Sequence, residues 1–78
     1  MAKDRSLPRV RVHLSLRQRQ CLQLIAEGLT AGAVALELGI SVRMVREHLR
    51  CAREKLGGVS TAHAVHLAAR QGLLDKTA

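Results

Sequence analysis

Apolar positions recur at helical spacing in four stretches, and no stretch alternates as a half-buried strand would. Cys21/Leu22, Ile25 and Leu29 line one face of the first stretch, and Val34, Ala35 and Leu38 line one of the second. Val42, Val45, Leu49, Ala52 and Leu56 form a continuous stripe along the third. Ala64, Val65 and Ala68 serve the fourth, with Leu73-Leu74 placed to close over the bottom. Each stretch is followed by glycine (Gly28, Gly39, Gly57-Gly58, Gly72), as a helix is followed by its C-cap glycine. Each is preceded by an N-cap residue: Ser15, Thr30, Ser41, and Ser60 or Thr61. Ser15 and Gln18 have capping-box spacing. The pattern predicts helices over about 16–27, 31–38, 42–56 and 61–71, an all-α chain.

Residues 1–13 lack this periodicity. They contain Pro8, the chain's one proline, and Lys3, Arg5, Arg9 and Arg11 against Asp4 alone. They read as a flexible basic arm in front of a domain over 14–76. With 78 residues in all, there is room for one small domain. The chain is 47% hydrophobic without a single Phe, Tyr or Trp, so its core must be aliphatic. That excludes an aromatic platform for stacking single-stranded nucleic acid, and with it an RRM-like sheet.

Charge narrows the partners. Thirteen Lys and Arg, ten of them Arg, against six Asp and Glu give a formal +7. So basic a domain attracts polyanions, meaning nucleic acid or an anionic membrane surface. A membrane partner is not expected, because the basic and the apolar faces are both used within one compact fold. No apolar run approaches the roughly 20 residues that span a bilayer, and the start lacks the apolar region of a signal peptide. The expected location is the cytoplasm, in association with the nucleoid.

The second and third helices carry the functional pattern. Where two helices of a helix-turn-helix touch, a small residue is needed, and Ala35 supplies it. Four residues later, Gly39 tolerates a left-handed turn. Ile40 and Val45 are placed to lock the second helix onto the first. On the outer face of the third helix lie Arg43, Arg46, Arg50 and Arg53, followed by Lys55. Arg46, Arg50 and Arg53 fall at i, i+4 and i+7 on a helix about 22 Å long. Like charges on one ridge cost helix stability and point to a polyanionic partner. The major groove of B-DNA admits such a helix, and Arg is the usual reader of guanine O6/N7.

Residues 14–74 resemble the LuxR/GerE-type DNA-binding domain of bacterial transcription regulators. The resemblance is carried in order by residues 14–22, 25–30 and 34–41, then Val45-Arg46-Glu47-His48-Leu49, Lys55-Leu56-Gly57, Ala64-Val65 and Gly72-Leu73-Leu74. It implies a compact four-helix helix-turn-helix domain whose third helix enters the major groove and whose fourth pairs with a second subunit. It further implies base-edge contacts from Arg46, Glu47 and Arg50. Backbone contacts are implied for Thr30, Arg43, Met44, Cys51 and Lys55, and a dimer interface for His63, Leu67 and Arg70. Arg46 and Arg50 can fork to guanine, and Glu47 can accept from cytosine N4. Thr30 caps a helix whose N-terminus attracts phosphate.

There are departures from the family pattern. Met44 stands where a Thr hydroxyl is usual, and Ala31-Gly32-Ala33 where Asn, Lys and Glu are usual. Gln20 replaces a Glu, and Thr61-Ala62-His63 replaces Arg-Thr-Glu. Arginines of the arm are expected to offset the missing cations.

His63 and His66 lie i, i+3, but with His13 and His48 they give no zinc-like spacing, so no metal or cofactor is expected. Cys21 falls on the core stripe and is expected to be inert; Cys51, toward the DNA side, is a candidate redox-sensitive thiol. No phosphate loop, carboxylate pair or nucleophile elbow appears, so catalysis is not expected. The expectation is a sequence-specific, stand-alone homodimeric regulator of transcription on double-stranded DNA. A truncated output domain of a larger regulator is kept open. The alternative is an adaptor that meets RNA polymerase or a sigma factor through its helix-turn-helix surface, with little salt dependence.

Overall fold

A computed structural model of the chain describes residues 12–75, so most of the expected basic arm, 1–11, lies outside the described residues. Four helices follow in order: α1 (Leu16–Ala26), α2 (Ala31–Leu38), α3 (Val42–Leu56) and α4 (Thr61–Arg70). No strand occurs among the described residues. The fold is the all-α, four-helix arrangement the pattern predicts, with α1 and α4 each ending one residue early.

Local chemistry sets each boundary. At α1 the Ser15 N–H donates to Gln18 Oε1 at 3.0 Å while the Gln18 N–H donates to Ser15 Oγ at 3.1 Å. This reciprocal box satisfies two N–H groups that the first helical turn would leave unpaired. Thr30, Ser41 and Ser60 cap the other three helices, each accepting from the N–H three residues on. Ser60, rather than Thr61, is therefore the cap of α4. α2 stops at Gly39, whose φ of 69° lies in the left-handed region. A side chain there would be strained.

The core is aliphatic, as the composition requires. Cys21, Leu22, Val34, Val45, Ala52, Ala64 and Ala68 have no exposure at all. Leu14, Ala35, Leu49 and Leu56 are also buried. The α3 stripe of Val45, Leu49, Ala52 and Leu56 is the only one buried along four positions, and α1, α2 and α4 all pack against that helix. Val42, Ile25, Leu29, Leu38 and Val65, placed on core stripes by the pattern, are partly buried against this cluster.

The core extends further at the N-terminal end than periodicity indicates. Leu14 is buried and Val12 packs against the cluster, although both precede the first helix. Leu73 and Leu74 pack from the other end, where the Asp75 N–H donates to Gln23 Oε1 at 2.7 Å. Cys21 is free and buried, and desolvation raises its thiol pKa, with Arg17 pulling the other way.

The two adjacent glycines after α3 have different jobs. Gly57, with φ of 76°, caps the helix. Gly58 lies against α4: a Cβ there would sit 3.1 Å from the Ala64 N and 3.2 Å from the Ala64 Cα. A helix backbone cannot yield as a flexible side chain would. Gly58→Ala is expected to cost about 1–3 kcal/mol in chemical denaturation, the usual range for overpacking.

A second expectation follows from Cys21. Its folded-state pKa is raised, so folding favours the protonated thiol, and its contribution to stability is complete below the unfolded value, near 9.0. That contribution is lost as pH rises through the folded value. Denaturation midpoints should fall from about pH 9 upward, and the fall should be shallower in Cys21→Ala.

Candidate nucleic-acid interface

Burial of the Val45/Leu49/Ala52/Leu56 stripe fixes how α3 is rotated about its axis, and so which side chains face solvent. Arg43, Met44, Arg46, Glu47, Arg50, Glu54 and Lys55 are exposed. Arg53 and Cys51 are half-buried, which places Arg53 at the flank of the face rather than along its crest. Of the three arginines expected on one ridge, Arg46 and Arg50 are thus the outward pair. Thr30 is exposed at the start of α2, with its Oγ1 accepting from the Ala33 N–H at 3.2 Å.

The crest of α3 is not purely cationic. Arg50 donates from Nε to Glu47 Oε1 at 3.3 Å and from Nη2 to Glu47 Oε2, and from Nη1 to Glu54 Oε2 at 2.7 Å. The bond to Glu47 and its charge push the Arg50 pKa further above its ordinary value, with Glu54 adding to this. In return, the Arg50 hydrogen bond holds the Glu47 carboxyl below the usual carboxylate range. Cys51 Sγ also reaches Glu47 Oε2, at 3.7 Å. Two expected base-contacting residues, Glu47 and Arg50, are therefore partners of each other in the free protein. Glu54, which sequence patterning passed over, completes the group. Its signal was the i, i+4 spacing of Arg50 and Glu54.

Lys55 lies at the other end of the expected contact set and is also engaged. Its Nζ donates to the His13 carbonyl oxygen at 3.1 Å and to Gln18 Oε1 at 2.9 Å. It thereby ties the end of α3 to the capping box of α1 and to the segment that leads into it.

On α4, His63, Leu67 and Arg70 share a ridge at i, i+4 and i+7. Leu67 lies off the Ala64/Val65/Ala68 stripe, a position that by spacing alone leaves an apolar residue exposed, yet it is half-buried and packs on the core. A leucine is long enough to fold back onto the cluster from the edge of a stripe. The exposed apolar residue nearby is Val59, 84% exposed, whose N–H donates to His63 Nδ1 at 3.1 Å. Arg70 is exposed.

Elsewhere, α1, the end of α2 and the tail enclose a groove of about 570 Å³ lined by Leu16, Leu24, Leu38, Leu73 and Leu74 among others. No residue of α3 lines it. Among the described residues, no group of three His, Cys, Asp or Glu comes together that could hold a metal ion, and no helix is long and apolar enough to cross a membrane.

Comparison with known proteins meets this geometry. Residues 12–68 match the family described as bacterial regulatory proteins, luxR family. The chain is 44% identical over 62 residues to the probable transcriptional regulatory protein NarL of Mycobacterium tuberculosis, covering 80% of the chain and 29% of that relative. It superposes on the structure of the transcription factor GerE with a TM-score of 0.76 at 29% identity, covering 80% of the chain and 92% of GerE. It is similar also to VqmA of Vibrio cholerae, described as a dimer and among LuxR-type receptors. There the TM-score is 0.74 at 27% identity, over 80% of the chain and 27% of VqmA. The chain spans less than a third of the length of NarL and of VqmA. A family match over most of the described residues, joined to this fold, gives the identity: the chain belongs to the LuxR family of bacterial regulatory proteins, as a helix-turn-helix DNA-binding domain of transcription regulators.

Proposed function

We propose that this domain binds double-stranded DNA sequence-specifically, as a homodimer in the cytoplasm, with α3 lying in the major groove. The observation that carries this reading is the outward face of α3, where Arg43, Arg46 and Arg50 stand free of the core on the helix that follows the Gly39 turn. Arg46 and Arg50 are the side chains that fork to guanine, and Glu47 accepts from cytosine N4. Thr30, Arg43, Met44, Cys51 and Lys55 hold the sugar-phosphate backbone, which positions the helix without reading sequence. At Met44 and Cys51 the contact is the weaker one, since neither offers a hydroxyl. The first-turn amides of α2 compensate in part for the absence of polar side chains at Ala31-Gly32-Ala33.

The test is a salt titration of duplex binding by fluorescence anisotropy. Neutralising about five phosphates gives a log–log slope of about −4 to −5. A slope near zero would overturn the reading and favour an adaptor that uses this surface on RNA polymerase or a sigma factor.

The second subunit is proposed to pack on the α4 ridge of His63, Leu67 and Arg70. The exposed Val59 beside His63 supports this, since it extends apolar surface toward the ridge. An isologous contact places each residue against its counterpart across the two-fold axis. Because Leu67 also packs on the core, the discriminating variant is Arg70→Glu. It is expected to keep the thermal transition of the wild type and to lose cooperative binding to a duplex carrying two half-sites. Unchanged cooperativity would remove this ridge from the interface.

A further inference from the structure

Glu54 has no part in the contacts proposed above, yet it holds the central arginine of the recognition face. Its Oε2 accepts from Arg50 Nη1 at 2.7 Å, while Glu47 grips the same guanidinium through Nε and Nη2. All three side chains are solvent-exposed, so the bracket stands on the surface that is to meet DNA. A guanidinium has five N–H groups. The two carboxylates engage three of them, and Nη2 also lies 4.0 Å from Cys51 Sγ, a weak acceptor that a guanine edge can displace.

The two kinds of DNA acceptor differ in charge, and the bracket acts on that difference. A phosphate oxygen that approaches Arg50 brings an anion towards two carboxylates, so their repulsion offsets much of the attraction of the guanidinium. Guanine O6 and N7 are neutral acceptors and meet no such repulsion. When Glu47 turns to a cytosine N4, it leaves Arg50, and Glu54 is then the anion still paired with it.

We propose that Glu54 is a specificity-determining residue, which stays with Arg50 in the complex and lowers its value against phosphate while leaving its fork for guanine. This rests on the placement of α3 in the major groove. Glu54 therefore works by penalising non-cognate DNA rather than by strengthening the cognate contact.

The test compares wild type with Glu54→Gln, which keeps the size of the side chain and removes its charge. Two duplexes serve as probes: one of 20 base pairs selected by the wild type from a randomised pool, and a scrambled duplex of the same composition. Circular dichroism confirms equal helix content. For Glu54→Gln at 0.1 M salt, the Kd on the scrambled duplex is expected to fall about fivefold, with a salt slope steeper by about one. On the selected duplex the Kd should change less than about twofold. Glu37→Gln removes the same charge from α2 and should leave the ratio of the two affinities unchanged. A wild type that discriminates, with a Glu54→Gln variant that tightens equally on both duplexes, would overturn the role of Glu54 alone. A wild type that binds both duplexes equally would overturn the sequence-specific reading, and this role with it.

Discussion

The outward chemistry of α3 is fixed by what α3 buries. Its stripe of Val45, Leu49, Ala52 and Leu56 is the common surface on which the other three helices pack. Turning the helix by one residue, about 100°, would expose this stripe and bury charged side chains in its place. Rotation is therefore tightly specified, even though no aromatic residue helps to fill the core. The angle at which α3 leaves α2 is set by their joint, where the buried Ala35 lets the two helices approach and the left-handed Gly39 turns the chain. A larger residue at 35 would push the helices apart and move every arginine on the face.

On that fixed frame, the charge of the face is organised by pairing. Arg50 is held between Glu47 and Glu54, whereas Lys55 is drawn back to the α1 cap and the His13 carbonyl. Exposed pairs of this kind contribute little to folding, because water and salt screen them. Their consequence lies in binding, where DNA must compete for cations that already have partners. Net charge draws the domain to a polyanion, and the local pairs decide how much of that charge is spent on phosphate.

Much of the fold was legible in the sequence, because its signals are local. Ser15, Thr30, Ser41 and Ser60 with their glycines bound all four helices to within a residue. The buried stripe of α3 follows from spacing alone. What spacing did not give depends on long-range contact. Val12 and Leu14 join the core from outside any helix, so periodicity has no hold on them. Leu67 bends back to the core from the edge of a stripe, and Gly58, in the turn after α3, is demanded by the approach of Ala64 in α4. In the candidate site, the arginines were visible as a run of like charge, but the bracket on Arg50 was not. Its partners are the acidic residues that a count of cations passes over.

The central claim is that α3 presents Arg46 and Arg50 to base edges in the major groove. Chemical protection with dimethyl sulfate tests it most directly, since the reagent marks guanine N7 in the major groove and adenine N3 in the minor groove. On a duplex selected by the protein, the account predicts that guanine N7 within each half-site is protected while adenine N3 stays reactive. Protection of adenine N3 with guanine N7 left open, or a saturated duplex on which neither is protected, would contradict it.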